Sequence, residues 1–171
     1  MEYWVVYDRG TGEPLYRGSG SIGMGAVQPL REGAALILVP HAIVETPEIN
    51  LDALRAALTI GVDNEAERMR GRFITALPGQ VGAYVLKAQV ARRWIADNGS
   101  STVGLASEAK ARRMTIADLA AEVIEREDSW LLASDAIEGV RFGAKLAIAE
   151  AETFGAIVEA SKLDWSALTG G

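Results

Sequence analysis

Cysteine is absent from the 171 residues, which removes disulfide frameworks, thiolate nucleophiles and cysteine-ligated metal centres together. Histidine occurs once, as His41, behind a proline and with no cysteine to join it in a metal site. Aromatic residues make up only 6% of a chain that is 49% apolar. The core therefore has to be built from Ala, Leu, Ile and Val, a composition that suits closely packed helices. No apolar run reaches the roughly 18 residues of a membrane span, and the N-terminus, MEYWVVYDRG, lacks a basic stretch followed by an apolar one. The expectation is a protein that is neither secreted nor inserted in a membrane.

The formal charge of −6 argues against general nucleic-acid affinity, which depends on a positive surface. That charge is unevenly spread: residues 1–50 sum to −3, residues 51–114 to +4 and residues 115–171 to −7. A basic middle offers itself either to nucleic acid or to the acidic C-terminal segment of its own chain or of a second copy. Arg68, Arg70 and Arg72 lie among Glu65 and Glu67, the interleaving of a salt-bridged helix face, so pairing is the expectation.

Short β-branched and aromatic runs open the chain. Tyr3 to Tyr7, a turn-rich Asp8–Pro14, and Leu15 to Arg17 read as a hairpin, and Ala34 to Val39, closed by Pro40, reads as a further strand. These predict a small antiparallel sheet of three or four strands. From Asn50, a candidate N-cap, apolar residues recur at Leu51, Leu54, Leu58, Val62, Met69 and Phe73, which predicts a helix of about twenty residues. A second helix is expected from Val81 to the Asp97–Asn98–Gly99 stop, after the break Thr75–Gly79, and a shorter one from Gly104 to Arg113. Thr115-Ile116-Ala117-Asp118 fits a capping box. From there to Ser161 the chain is free of proline and helix-compatible, about 70 Å if unbroken. Such an element either breaks, near Ser129–Ser134 or at Gly139 and Gly143, or projects and associates with copies of itself. Its seam runs through Leu119, Val123, Trp130, Ile137, Val140, Ala144, Ala151, Phe154 and Val158. The predicted architecture is α+β: a small antiparallel β domain over residues 1–47, then an antiparallel helical bundle over residues 48–171 with a long C-terminal helical segment.

One motif raises a question of chemistry. GSGSIGMG, from Gly18 to Gly25, contains the spacing Gly18-x-Gly20-x-x-Gly23 of a dinucleotide loop. Such a loop must end a parallel strand and open a helix whose amides face the pyrophosphate. Here it follows the returning strand of a hairpin and precedes Pro29, so a bent glycine connection is the better reading. No Gly-Lys-Ser or Gly-Lys-Thr is present, and Ser21 has Ser19 where a nucleophile elbow needs glycine. Neither a catalytic residue nor a cofactor or metal site is assigned, and the expectation is a protein that is not an enzyme. The candidate interface residues are Trp4, Tyr16, Trp130, Ile137, Phe154 and Trp165, with Trp94 as a fourth indole whose spacing favours packing.

In their order, YWVVYDRGTGEPLYRGSG, EGAALILVP, LDALRAAL, NEAERMRGRFIT, ARRWIAD and MTIADLAAEVIE resemble small virion proteins of tailed bacteriophages and gene transfer agents, of the tail or tail-fibre type. That resemblance implies a structural component of a virion, made in the bacterial host cytoplasm, that docks on other virion proteins and forms a homo-oligomer, a trimer if it belongs to a fibre. It implies no nucleic-acid partner and no membrane insertion. The chain lacks the extended β-rich shaft of receptor-binding fibres, which leaves a tail-fibre assembly chaperone or adaptor, or a head-surface spike component, as alternatives. A nucleotide- or small-molecule-binding domain built on the glycine loop is the remote one.

Overall fold

The computed structural model describes residues 1–73, 80–97 and 102–169. Three strands, β1 (Glu2–Asp8), β2 (Pro14–Gly20) and β3 (Ala34–Val39), form one antiparallel sheet in the order β2-β1-β3. The helices are α1 (His41–Val44), α2 (Leu51–Phe73), α3 (Gln80–Ala96), α4 (Ala106–Arg112), α5 (Ile116–Glu150), α6 (Phe154–Ala160) and α7 (Ser166–Thr169). The fold is α+β, as the sequence predicts. The turn expected at Thr75–Gly79 and the stop at Asn98–Gly99 lie outside the described residues.

Two compact units divide the chain: Met1–Ala66 with Glu138–Gly171, and Glu67–Ile137. This differs from the expected boundary at residue 47, and the reason is burial. Alternation along β1 sends Val5 and Tyr7 to one side of the sheet, and a three-stranded sheet cannot cover that face by itself. Leu54 and Val62 of α2, Ile148 of α5, and Phe154, Ile157 and Val158 of α6 close over it in a single cluster with Val5, Tyr7, Ala35, Val39 and Ile43. Sheet and flanking helices are therefore one folding unit. On the other face Trp4 and Val6 pack with Ala34 and Leu36.

Local signals explain the helix ends. Asn50 Oδ1 accepts the Ala53 amide at 2.9 Å, and Thr115 Oγ1 accepts the Asp118 amide at 3.1 Å, so both expected caps form. The predicted breaks near Ser129–Ser134 and at Gly139 and Gly143 do not. α5 continues for 35 residues to Glu150, about 50 Å, because isolated glycines and serines weaken a helix without ending it. It stops where a better alternative is at hand: Arg55 Nη2 donates to the Ala151 carbonyl at 2.8 Å, and Thr153 Oγ1 caps α6 by accepting the Ala156 amide at 3.2 Å.

The second unit has an alanine-rich core, Ala91, Leu105, Ala109, Leu119 and Ala120, bordered by Trp94, Met114 and Ile116. Small side chains let α3, α4 and α5 approach closely, and ion pairs border the contact. Arg92 reaches Glu127 at 2.5 Å and Asp128 at 2.8 Å, Arg112 reaches Glu122 at 2.6 Å, and Lys87 pairs with Glu108. Arg92 and Arg112 of the basic middle thus meet acids of the C-terminal segment of the same chain, while Arg70 pairs with Glu67 on its own helix. Each pair is partly solvated, so each contributes little to stability.

Candidate functional site

The glycine-rich stretch was the one motif with chemistry to test. Gly18 and Gly20 belong to β2, an antiparallel strand at the sheet edge, and a single 3-10 turn, Gly25–Val27, follows in place of a helix. The glycines make room for an indole. A Cβ on Gly18 would lie 2.6 Å from Cε2 and Cζ2 of Trp4, one on Gly20 3.3 Å from Cη2 of the same ring, and one on Gly25 2.8 Å from Leu38 Cδ2. Gly23, at φ +94°, supplies the bend. The Gly25 amide donates to the Glu2 carboxylate, and this bond, first among its causes, holds the Glu2 carboxyl below its ordinary range. The stretch folds back over Trp4, and its Met24 and Gly25 amides are committed to the Ser21 carbonyl and the Glu2 carboxylate. Among the described residues, no group of three or more His, Asp or Glu side chains is placed to hold a metal ion.

The six candidate interface residues separate. Trp4, Ile137 and Phe154 are core side chains, at 4%, 0% and 2% exposure, so their apolar surface is already used within the chain. Trp130 and Trp165 are half-buried. Tyr16 is 46% exposed and its hydroxyl donates to the Pro29 carbonyl at 3.4 Å, which ties the loop across the sheet face. The predicted seam is likewise internal at Leu119, Ile137, Phe154 and Val158.

A run of unused apolar surface lies on the other side of α5. Within the first unit, Gly139, Phe142, Gly143 and Leu146 recur at helical spacing and share one face, opposite Ile148 and Ala144, which join the core. Phe142 and Leu146 are 59% and 60% exposed, and a Cβ added at Gly139 or Gly143 would meet nothing within 4 Å. Exposed helix interiors usually carry charge; this one presents two large apolar side chains beside two glycines that let another backbone come close.

Phe142 is also held in place. The Arg141 guanidinium sits 4.1 Å from its ring centroid, within cation–π range. That guanidinium is itself fixed by Asp63 Oδ1 at 2.8 Å and by Glu138 Oε2 at 2.8 Å, and Lys145 Nζ donates to Asp63 at 2.9 Å. Lys145 and then Arg141 hold the Asp63 carboxyl below its ordinary value of 3.8. A positioned aromatic of this kind gives up little freedom when it is covered. Sequence reading missed the face because it followed the three-four track through Ile137, Val140 and Ala144 and took Gly139 and Gly143 only as weak points. Two glycines four apart flanking an aromatic were the available signal.

In the second unit, Tyr84, Val85 and Leu86 of α3 and Leu131 and Leu132 of α5 are exposed at 44–74%. No helix among the described residues is long and apolar enough to cross a membrane. No family model matches the chain, and no curated protein or solved structure proves similar to it.

Proposed function

We propose that this chain is a non-enzymatic structural component of a phage virion, of the tail or tail-fibre type, that docks on other virion subunits and self-associates through the outer face of α5. The observation that carries the reading is the exposed Phe142–Leu146 face with its glycine pair, an apolar surface of the kind that marks protein contacts. The order of sequence blocks supports the virion context.

Light scattering on the full chain at micromolar concentration tests the association. A mass above the monomer's 18.2 kDa, lost in a Phe142→Glu/Leu146→Glu variant that keeps its circular dichroism, is the expected result. A strictly monomeric parent chain removes self-association. Mass spectrometry of purified particles tests the context, since a stoichiometric component is expected for a virion protein, whereas an assembly chaperone or adaptor leaves before completion.

A further inference from the structure

We propose that the free edge of β3 receives an extended, acidic segment of another protein as a fourth strand. The two edges of the sheet are unlike. β2 begins with Pro14 and carries Arg17, whose guanidinium donates to the Val44 and Thr46 carbonyls, so this edge has the proline and the charge that β3 lacks. Among the described residues, β3 pairs with β1 alone. Its sequence, AALILV, has no charge and no proline, and its ladder with β1 runs in register without a bulge. Natural edge strands are normally blunted by one of those devices. An unblunted edge is what strand addition requires: its free amides and carbonyls supply the hydrogen bonds, and flanking pockets read alternate side chains.

Such flanking walls are present. A groove of about 470 Å³ runs at the β3 edge, with Gln28 and Leu30 from the loop on one side and Val158 and Ser161 of the α6 end on the other. Among the described residues, the only charged ones lining it are Arg9 and Lys162. The Arg9 amide donates to the Gly33 carbonyl at 2.8 Å, which fixes the Arg9 backbone beside the start of β3. Lys162 pairs with Glu159, whose carboxylate also feels the charge of Arg9, so two cations stand against one carboxylate.

Charge also selects the occupant. The sheet-bearing unit holds seven basic and fourteen acidic residues, a net charge of −7, yet no carboxylate among the described residues lines the groove. A second copy laid edge to edge would bring −7 against −7. An acidic extended segment from a different protein meets a strip of an acidic unit whose charged lining is cationic. This site is separate from the α5 face, and either can fail without the other.

The test uses the full-length chain and two fluorescein-labelled seven-residue peptides, one alternating valine with glutamate and one alternating valine with lysine. Anisotropy is expected to rise with the acidic peptide only, and the binding to weaken with added salt. An Arg9→Glu/Lys162→Glu variant, both residues being exposed, is expected to weaken the acidic peptide about tenfold or more while its circular dichroism is unchanged. Hydrogen exchange is expected to show amide protection rising within 34–39 and unchanged within 14–20. Equal binding of both peptides, binding of neither, or protection confined to another segment overturns the proposal. So does a dimer of the parent chain that Leu38→Lys abolishes, since the edge would then serve a second copy.

Discussion

The carbonyl oxygen of Gly12 accepts the amide of Gly155 at 2.8 Å, which joins the β1–β2 hairpin to the first turn of α6 by backbone alone. The approach is closer than any side chain allows. A Cβ on Gly155 would stand 2.5 Å from the Gly12 Cα, and one on Gly12 would stand 2.6 Å from Thr153 Oγ1. Beside this contact Tyr7 donates to Glu159 at 3.1 Å and packs on Phe154 with ring centroids 5.6 Å apart.

Gly155→Ala is therefore expected to destabilise the first unit by about 1–3 kcal/mol, the usual cost of overpacking. Gly33 provides the control: it has φ +78° but nothing within 4 Å of an added Cβ, so Gly33→Ala bears only the backbone penalty of about 1–2 kcal/mol. Urea unfolding of both variants measures the difference. A neutral Gly155→Ala would show that the hairpin and α6 do not meet in this way.

Gly18→Ala places a methyl carbon inside the contact distance of the Trp4 indole. Loss of about 1–3 kcal/mol is expected, together with a change in the near-ultraviolet circular dichroism as the ring shifts. Retention of both the parent stability and the parent spectrum would remove the role given to the glycines.

Gly139→Ala and Gly143→Ala should each stabilise the isolated chain by about 1 kcal/mol, since glycine is that much poorer than alanine in an exposed helix interior and neither methyl meets a neighbour. If the glycines serve association, the same variants weaken it. Thermal unfolding at low concentration and light scattering at high concentration read the two effects separately. Stabilisation without any loss of association would leave the glycine pair without a role in the contact.

Acid should weaken the link between α2 and α5 in the first unit. Lys145 and Arg141 depress the native pKa of Asp63 below 3.8, so the unfolded chain takes up the proton first as pH falls. The contribution is present above that ordinary value and is lost as pH drops through the native one. Asp63→Asn should flatten the fall of the urea midpoint between about pH 5 and pH 3. An unchanged acid limb would show that Asp63 is solvated in the native state.

Much of the fold was legible. Asn50 and Thr115 announced their helices because a cap is a local hydrogen bond, and Tyr3–Tyr7 with Ala34–Val39 announced the sheet because alternation and β-branching act over a few residues. The end of α5 was not, because what stops it is the Arg55 guanidinium nearly a hundred positions away in sequence and the Thr153 cap read in three dimensions. Nor was the candidate interface: Trp4, Ile137 and Phe154 look as sticky in sequence as Phe142 and Leu146, and only packing spends the first three on the core.

The sequence alone determined the chemistry this chain cannot draw on, having no cysteine and one histidine, together with the order of its three strands and its longer helices, all properties of composition and near neighbours. Tertiary structure decided how the elements are shared between two units, why GSGSIGMG is glycine-rich, and which apolar side chains remain at the surface. Each of those depends on contacts between residues far apart in the chain, as where Gly12 meets Gly155 and Gly18 meets Trp4, and periodicity carries no record of them.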